Sequence, residues 1–134
     1  MTKVAPRSIA IPRLRAAVYL RRGTNLVAAM EQSLGSGNND GAATSGVQAA
    51  ISFADAYTVA KCGLRSRGQD HHEAVALVSG VGSPPAKRLA TLLQKILNRK
   101  SAVEYGDRDV TSEDASEIAR AVREVHTIVK REID

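Results

Sequence analysis

Val47-Gln48-Ala49-Ala50-Ile51-Ser52-Phe53-Ala54-Asp55-Ala56 is the stretch on which the fold of this 134-residue chain turns. At 3.6 residues per turn it has two apolar faces. Ala43, Val47, Ala50, Ala54 and Tyr57 line one, and Gly46, Ala49, Phe53, Ala56 and Ala60 line the other. A helix apolar on two sides belongs at the centre of a bundle, or between a core and a partner. The expected helix runs from about Asp40 to Leu64. Its remaining stripe is polar, with Gln48, Ser52 and Asp55 at i, i+4 and i+7.

Working outward, a first helix is predicted from about Arg13 to Leu34. Leu20, Gly23, Val27, Met30 and Leu34 share one of its faces. A glycine inside such a run costs about 1 kcal/mol against alanine, so Gly23 is expected to mark a close helix crossing. Gly35-Ser36-Gly37-Asn38 supplies the left-handed residues that end the helix. Asp70, with Glu73 three positions on, reads as the cap of a short third helix that stops before Gly80. Pro84 and Pro85 open a fourth helix, where missing backbone donors do least harm. It extends to about Tyr105 and ends at Gly106, with Leu89, Leu93 and Ile96 as its core stripe. Thr111 or Ser112 caps the last helix, whose stripe of Ala115, Ile118, Val122, Val125, Val129 and Ile133 is nearly ideal. Opposite it, Glu117, Arg120 and Glu124 can pair at i+3 and i+4 spacing. The expectation is an all-α, up-and-down bundle of about five helices, four long and one short. Residues 1–12, with Pro6, Pro12 and scattered basic side chains, read as a flexible basic arm before a single domain over 13–134.

Composition narrows the function classes. Aromatic residues are 3 % of the chain, so the core is built from small aliphatic side chains. The lone Cys62 rules out an internal disulfide and any Cys-based zinc site. No apolar run reaches the roughly 20 residues that span a bilayer, and the N-terminus lacks the apolar region of a secretory signal. The cytoplasm is the expected compartment, with no membrane contact. A formal charge of +5 favours an anionic partner, although no aromatic residues interleave with the basic ones to stack on single-stranded bases.

Several residues have chemistry to offer. Asp70-His71-His72-Glu73 gathers four polar groups. Adjacent helical residues point about 100° apart, whereas two histidine ligands of one metal need i and i+4 spacing. No metal site is expected there, and His71 or His72 could act only as a general acid or base on a substrate delivered by other helices. Asp55, a carboxylate inside an alanine-rich helix, needs solvent, a cation or a hydrogen-bond donor. Lys61, Arg99 and Lys100 are the partners considered. Arg99 follows the apolar run Leu89 to Leu97 and lies in a row with Leu92, Ile96 and Val103. At the edge of an apolar face a guanidinium can grip phosphate or carboxylate bidentately, or lay its stem over the core with its head in water. Periodicity alone favours the second. No glycine-rich phosphate loop occurs, since Gly80-Val81-Gly82 lacks the Lys-Ser/Thr ending.

The order of these pieces resembles the HEPN family of small helical-bundle domains. Three segments bear the likeness: Val47 to Ala56, Asp70 to Val78, and Asn98-Arg99 through Tyr105-Gly106-Asp107 with the following Val110 to Ala115. The resemblance implies homodimers or higher homo-oligomers and no cofactor. Several members are metal-independent ribonucleases of toxin–antitoxin or phage-defence systems. They use an Arg, four to six residues, then a His, brought together across the dimer. Others bind nucleotides or proteins, sometimes beside a nucleotidyltransferase. Arg99 matches the arginine of that motif, while Glu104, Tyr105 and Gly106 stand where the histidine would be. The resemblance therefore implies a dimerising module for RNA, nucleotide or a partner protein without the usual ribonuclease activity. The alternative is a metal-independent endoribonuclease toxin with an antitoxin partner. In that case Arg99, Tyr105 and His71 would be catalytic, and Asp55, Lys100, Glu104 and His72 would bind. Whether the chain is an enzyme stays open at this point.

Overall fold

The computed structural model describes residues 8–67 and 71–133. Strand β1 (Ser8–Ala10) and a 3-10 turn (Arg13–Arg15) lead into α1 (Ala16–Gly35) and α2 (Asn39–Cys62). Then come β2 (Leu64–Ser66), α3 (His72–Gly80), α4 (Pro84–Tyr105) and α5 (Ser112–Ile133). The all-α expectation holds, with a two-stranded antiparallel clip added to it.

Each boundary has a local cause. Gly37, at φ +77°, turns the chain between α1 and α2, and the Asn38 side chain accepts from the Gly41 N–H at 2.9 Å to cap α2. The Ser83 hydroxyl accepts from the Ala86 N–H at 3.3 Å, with Pro84 and Pro85 in the first turn of α4. Two expected boundaries shift. α2 stops at Cys62 rather than Leu64, because Gly63 adopts a left-handed conformation (φ +69°) and donates back to the Val59 carbonyl. The segment freed by that turn pairs with β1 in the register Ser8↔Ser66, Ile9↔Arg65 and Ala10↔Leu64. The Ile11 N–H extends the clip by donating to the Gly63 carbonyl at 2.9 Å. Residues 8–10 of the expected arm are thus a paired strand. Residues 1–7, and Asp70 as the predicted cap of α3, lie outside the described residues.

α2 is the axis of the bundle, in contact with each of the other four helices. α1 runs antiparallel to it, and the crossing is tight where the sequence placed Gly23. A Cβ there would stand 2.6 Å from Phe53 Cε1. Phe53 is wholly buried, and its other face stacks on the His126 ring of α5 at 4.7 Å between centroids. Gly46 allows α5 equally close, since a Cβ would meet Ile118 Cγ2 at 2.9 Å. Tyr57, also buried, shares a 3.2 Å hydrogen bond between its hydroxyl and that of Ser83, tying α2 to the start of α4. The fold has two distinct ends. The starts of α2 and α5 and the finish of α4 meet at one, and the clip with the finishes of α2 and α5 meets at the other.

Candidate functional site

The C-terminal half of α4 is held by one carboxylate that the sequence reading passed over. Asp114 sits in the first turn of α5 with 1 % of its surface exposed. It accepts from the Thr111 N–H at 2.9 Å, while Thr111 Oγ1 accepts from the Asp114 N–H at 3.1 Å, completing a reciprocal helix cap. Two arginines close on the same group. Arg108 forms a fork at 2.6 and 3.1 Å, and Arg99 Nη1 donates to Oδ1 at 3.1 Å. The Arg108 guanidinium holds the carboxyl well below the usual carboxylate range, and the Thr111 hydrogen bonds add to this against the opposing effect of burial. The Thr111-x-x-Asp114 spacing was a readable signal for the cap; the two arginines depend on the path of the loop between α4 and α5. Arg99, predicted at an apolar edge with its head in water, is partly exposed and committed to this ion pair.

On one flank of α4 an open groove of about 920 Å³ runs between α3 and α4. Lys87, Thr91, Gln94, Lys95, Asn98 and Arg99 supply its polar groups, over Val75, Ala90 and Ala102. Its lining includes three cations and no carboxylate. Gln94 Nε2 donates to Asn98 Oδ1 at 2.9 Å and lies 3.4 Å from His72 Nδ1, so His72 reaches the groove through Gln94. On the other flank a more enclosed cavity of about 510 Å³ brings together His71, Lys100 and Glu104 with Asp40, Thr44 and Gln48. Val47, Val103, Val110 and Ile118 form its apolar wall. Lys100 is paired with Glu104 at 3.1 Å, so this cavity has little net positive charge to offer.

Five of the seven predicted residues therefore flank one helix end. The other two do not. Tyr105 is 87 % exposed and lines neither cavity. Asp55 is buried at the far end of α2, where the Ser66 hydroxyl approaches its Oδ1 at 3.5 Å. Burial pushes its carboxyl up to about 6, against the opposing pull of Arg65, Ser66 and Arg22. None of the partners considered from sequence serves it. Lys61 donates to the Glu132 carbonyl, Arg99 pairs with Asp114 and Lys100 with Glu104. β2 supplies the neighbours instead, including Arg65, whose Nε is buried without a hydrogen-bond partner. The polar stripe of α2 is split accordingly, with Gln48 exposed and both Ser52 and Asp55 buried.

The Arg–His spacing of the ribonuclease motif occurs on α5, at Arg120 and His126, and between β2 and the start of α3, at Arg65 with His71 or His72 and at Arg67 with His72. Arg120 and His126 are six residues apart on α5, about 240° around the helix. Arg120 pairs with Glu117, and the His126 ring lies on Phe53. Arg65 acts electrostatically on Asp55, whereas His71 lines the cavity beside Asp40. Among the described residues no group of three or more His, Cys, Asp or Glu is placed to hold a metal ion. No helix among them is long and apolar enough to cross a membrane.

A family model described as HEPN domain matches residues 16–132, nearly the whole chain. No curated protein and no solved structure gives a match.

Proposed function

This chain belongs to the HEPN domain family, and on that premise we propose that it is a cytoplasmic, homodimerising module that binds RNA or nucleotide phosphates in the α3–α4 groove without cleaving them. The observation that supports this reading is the composition of the groove. Lys87, Lys95 and Arg99 lie along it with amide and hydroxyl donors between them; no carboxylate lines the groove itself, although Glu117 approaches Lys95 from α5 at 3.7 Å and Asp114 holds Arg99. The argument against cleavage is equally local. Arg99, the counterpart of the motif arginine, is engaged by Asp114, and Glu104 and Tyr105 follow it where a histidine would serve as acid or base.

The test is fluorescence anisotropy with a labelled single-stranded RNA oligonucleotide, at several salt concentrations and in EDTA. Replacing both Lys87 and Lys95 by Gln should weaken binding and flatten the dependence of log K on log salt by roughly 1.4, about 0.7 for each lost phosphate contact. Unchanged affinity and slope would sink the groove as the site. One observation favours the alternative, an endoribonuclease toxin with a nucleotidyltransferase or antitoxin as partner. His72 stands at the groove's edge, linked through Gln94 to the residue beside Arg99. RNA cleavage in EDTA that is abolished by Arg99→Ala, in a variant whose helical circular dichroism is intact, would decide for that alternative.

A further inference from the structure

The net charge of +5 is unevenly distributed along the bundle. At the end that holds the clip, Arg13 lies against Gly63 and Lys61 reaches the Glu132 carbonyl at 3.1 Å, so the elements that meet there carry Arg13, Arg15, Lys61, Lys130 and Arg131. Among the described residues the carboxylate they meet is Glu132, which pairs with Arg131, while the buried Asp55 feels Arg65 and Arg22. The opposite end reverses the sign. Asp40 at the start of α2 lines the same cavity as Glu104, and the loop after α4 adds Asp107, Asp109 and Glu113, all exposed. The three cations there are already engaged, Lys100 by Glu104, and Arg99 and Arg108 by Asp114. No cation lies within ion-pair reach of Asp107, Asp109 or Glu113 among the described residues.

Among the described residues two large hydrophobic side chains stand exposed, and each belongs to one end. Leu14, 82 % exposed, lies between Arg13 and Arg15 at the basic end. Tyr105, 87 % exposed, lies between Glu104 and Asp107 at the acidic end. An apolar anchor ringed by charge is the anatomy of an interface centre and rim, and the two ends are complementary in both respects.

We infer that the acidic end of one copy of this chain seats on the basic end of another, with Tyr105 against Leu14. The contact joins two different patches, so it is heterologous, and repetition gives rings or filaments rather than a closed pair. It is separate from the homodimer of the functional reading and leaves the α3–α4 groove uncovered. Charge steers the encounter over a Debye length of about 8 Å at physiological salt, and the assembly should fade as salt rises.

Paired thiols test the geometry. In a Cys62→Ser background, Leu14→Cys and Tyr105→Cys are made in separate chains, both at exposed positions, and helical circular dichroism checks that each is folded. The two are mixed at low salt and oxidised with copper phenanthroline. A disulfide-linked product is expected in the mixture and in neither variant alone. Adding Asp107→Lys and Asp109→Lys to the Tyr105→Cys chain should lower its yield about tenfold at low salt. Equal cross-linking of either variant with itself would reveal a symmetric contact and overturn the inference. So would the absence of any product in the mixture, or a yield indifferent to the two lysine substitutions. Failure here leaves the RNA-binding reading untouched, because neither Lys87 nor Lys95 is altered in any of these chains.

Discussion

Replacing Asp55 by Asn should stabilise the protein at neutral pH and leave it almost unchanged in mild acid. The native carboxyl titrates at about 6 against an ordinary value of 3.8, a shift of roughly two units. At 1.36 kcal/mol per unit, ionising this group in the folded state costs on the order of 3 kcal/mol more than in the unfolded chain. A raised carboxyl binds protons more tightly when folded, so its contribution is most favourable below the unfolded value. That contribution falls as pH rises and is fully lost above the folded value. Between pH 5 and pH 7.5 the loss comes to on the order of 1 kcal/mol. Asn cannot ionise and removes this penalty, but its amide must find its own partners beside Ser66 and Arg65, so a net gain of about 1–2 kcal/mol at pH 7.5 is expected. Urea unfolding at several pH values measures it directly, and thermal unfolding should show a rise of about 4 °C per kcal/mol for a chain of this size. His126 titrates in the same window with the opposite sign, because burial and Lys130 hold its imidazole below its usual range. It faces α2 from the side of Phe53, away from Asp55, and cancels in the difference between variant and parent. An Asp55→Asn protein less stable than the parent at pH 7.5, with a parallel pH profile, would refute the reasoning. The carboxylate would then be an ionised partner of Arg65 that the fold requires.

Two further perturbations probe the helix crossings and the α5 cap. Gly23→Ala should destabilise by about 1 kcal/mol despite the helix propensity gained, since Phe53 is stacked on His126 and cannot retreat from a Cβ at 2.6 Å. A more stable variant in denaturant unfolding would mean the crossing is looser than described, and Phe53→Leu should relieve the clash in a double-mutant cycle. Asp114→Ala removes a reciprocal cap and strands two guanidinium groups that are themselves partly exposed. It should cost about 2–3 kcal/mol. The carboxyl of Asp114 is depressed, so the parent keeps this stabilisation above the ordinary carboxylate pKa and loses it as pH falls through the folded value; the variant should lack that part of the acid sensitivity.

What could be read from sequence follows the range of the interactions involved. The stripe of α5 and the two apolar faces of α2 repeat over many turns, and periodicity of that length specifies both a helix and the side it buries. Gly23 was legible because a glycine inside a long stripe has few other physical reasons. β1 and β2 were not, since three residues are too few for an alternating pattern and their pairing depends on a turn at Gly63 more than fifty residues after β1. Asp55 was correctly read as needing company, but its neighbours come from β2, which no period announced. At α4 the reading found the helix end and its polar residues. It could not find that Arg99 and Lys100, adjacent in sequence, serve opposite flanks, because that depends on where α2 and α3 lie against α4.

The clip has a practical consequence for anyone building with this protein. It fixes Ser8 beside the finish of α2, and the last turn of α5 lies there too. A domain fused ahead of Ser8 or behind Ile133 therefore emerges over the cluster of arginines and lysines and leaves the sides of α4 accessible. The nearness of the two points also suits the chain to circular permutation, with a short joint across that end and new termini opened in the turn at Gly37. Such a rearranged chain would keep every helix pairing of the parent, while a label placed at the new ends would sit beside Asp40.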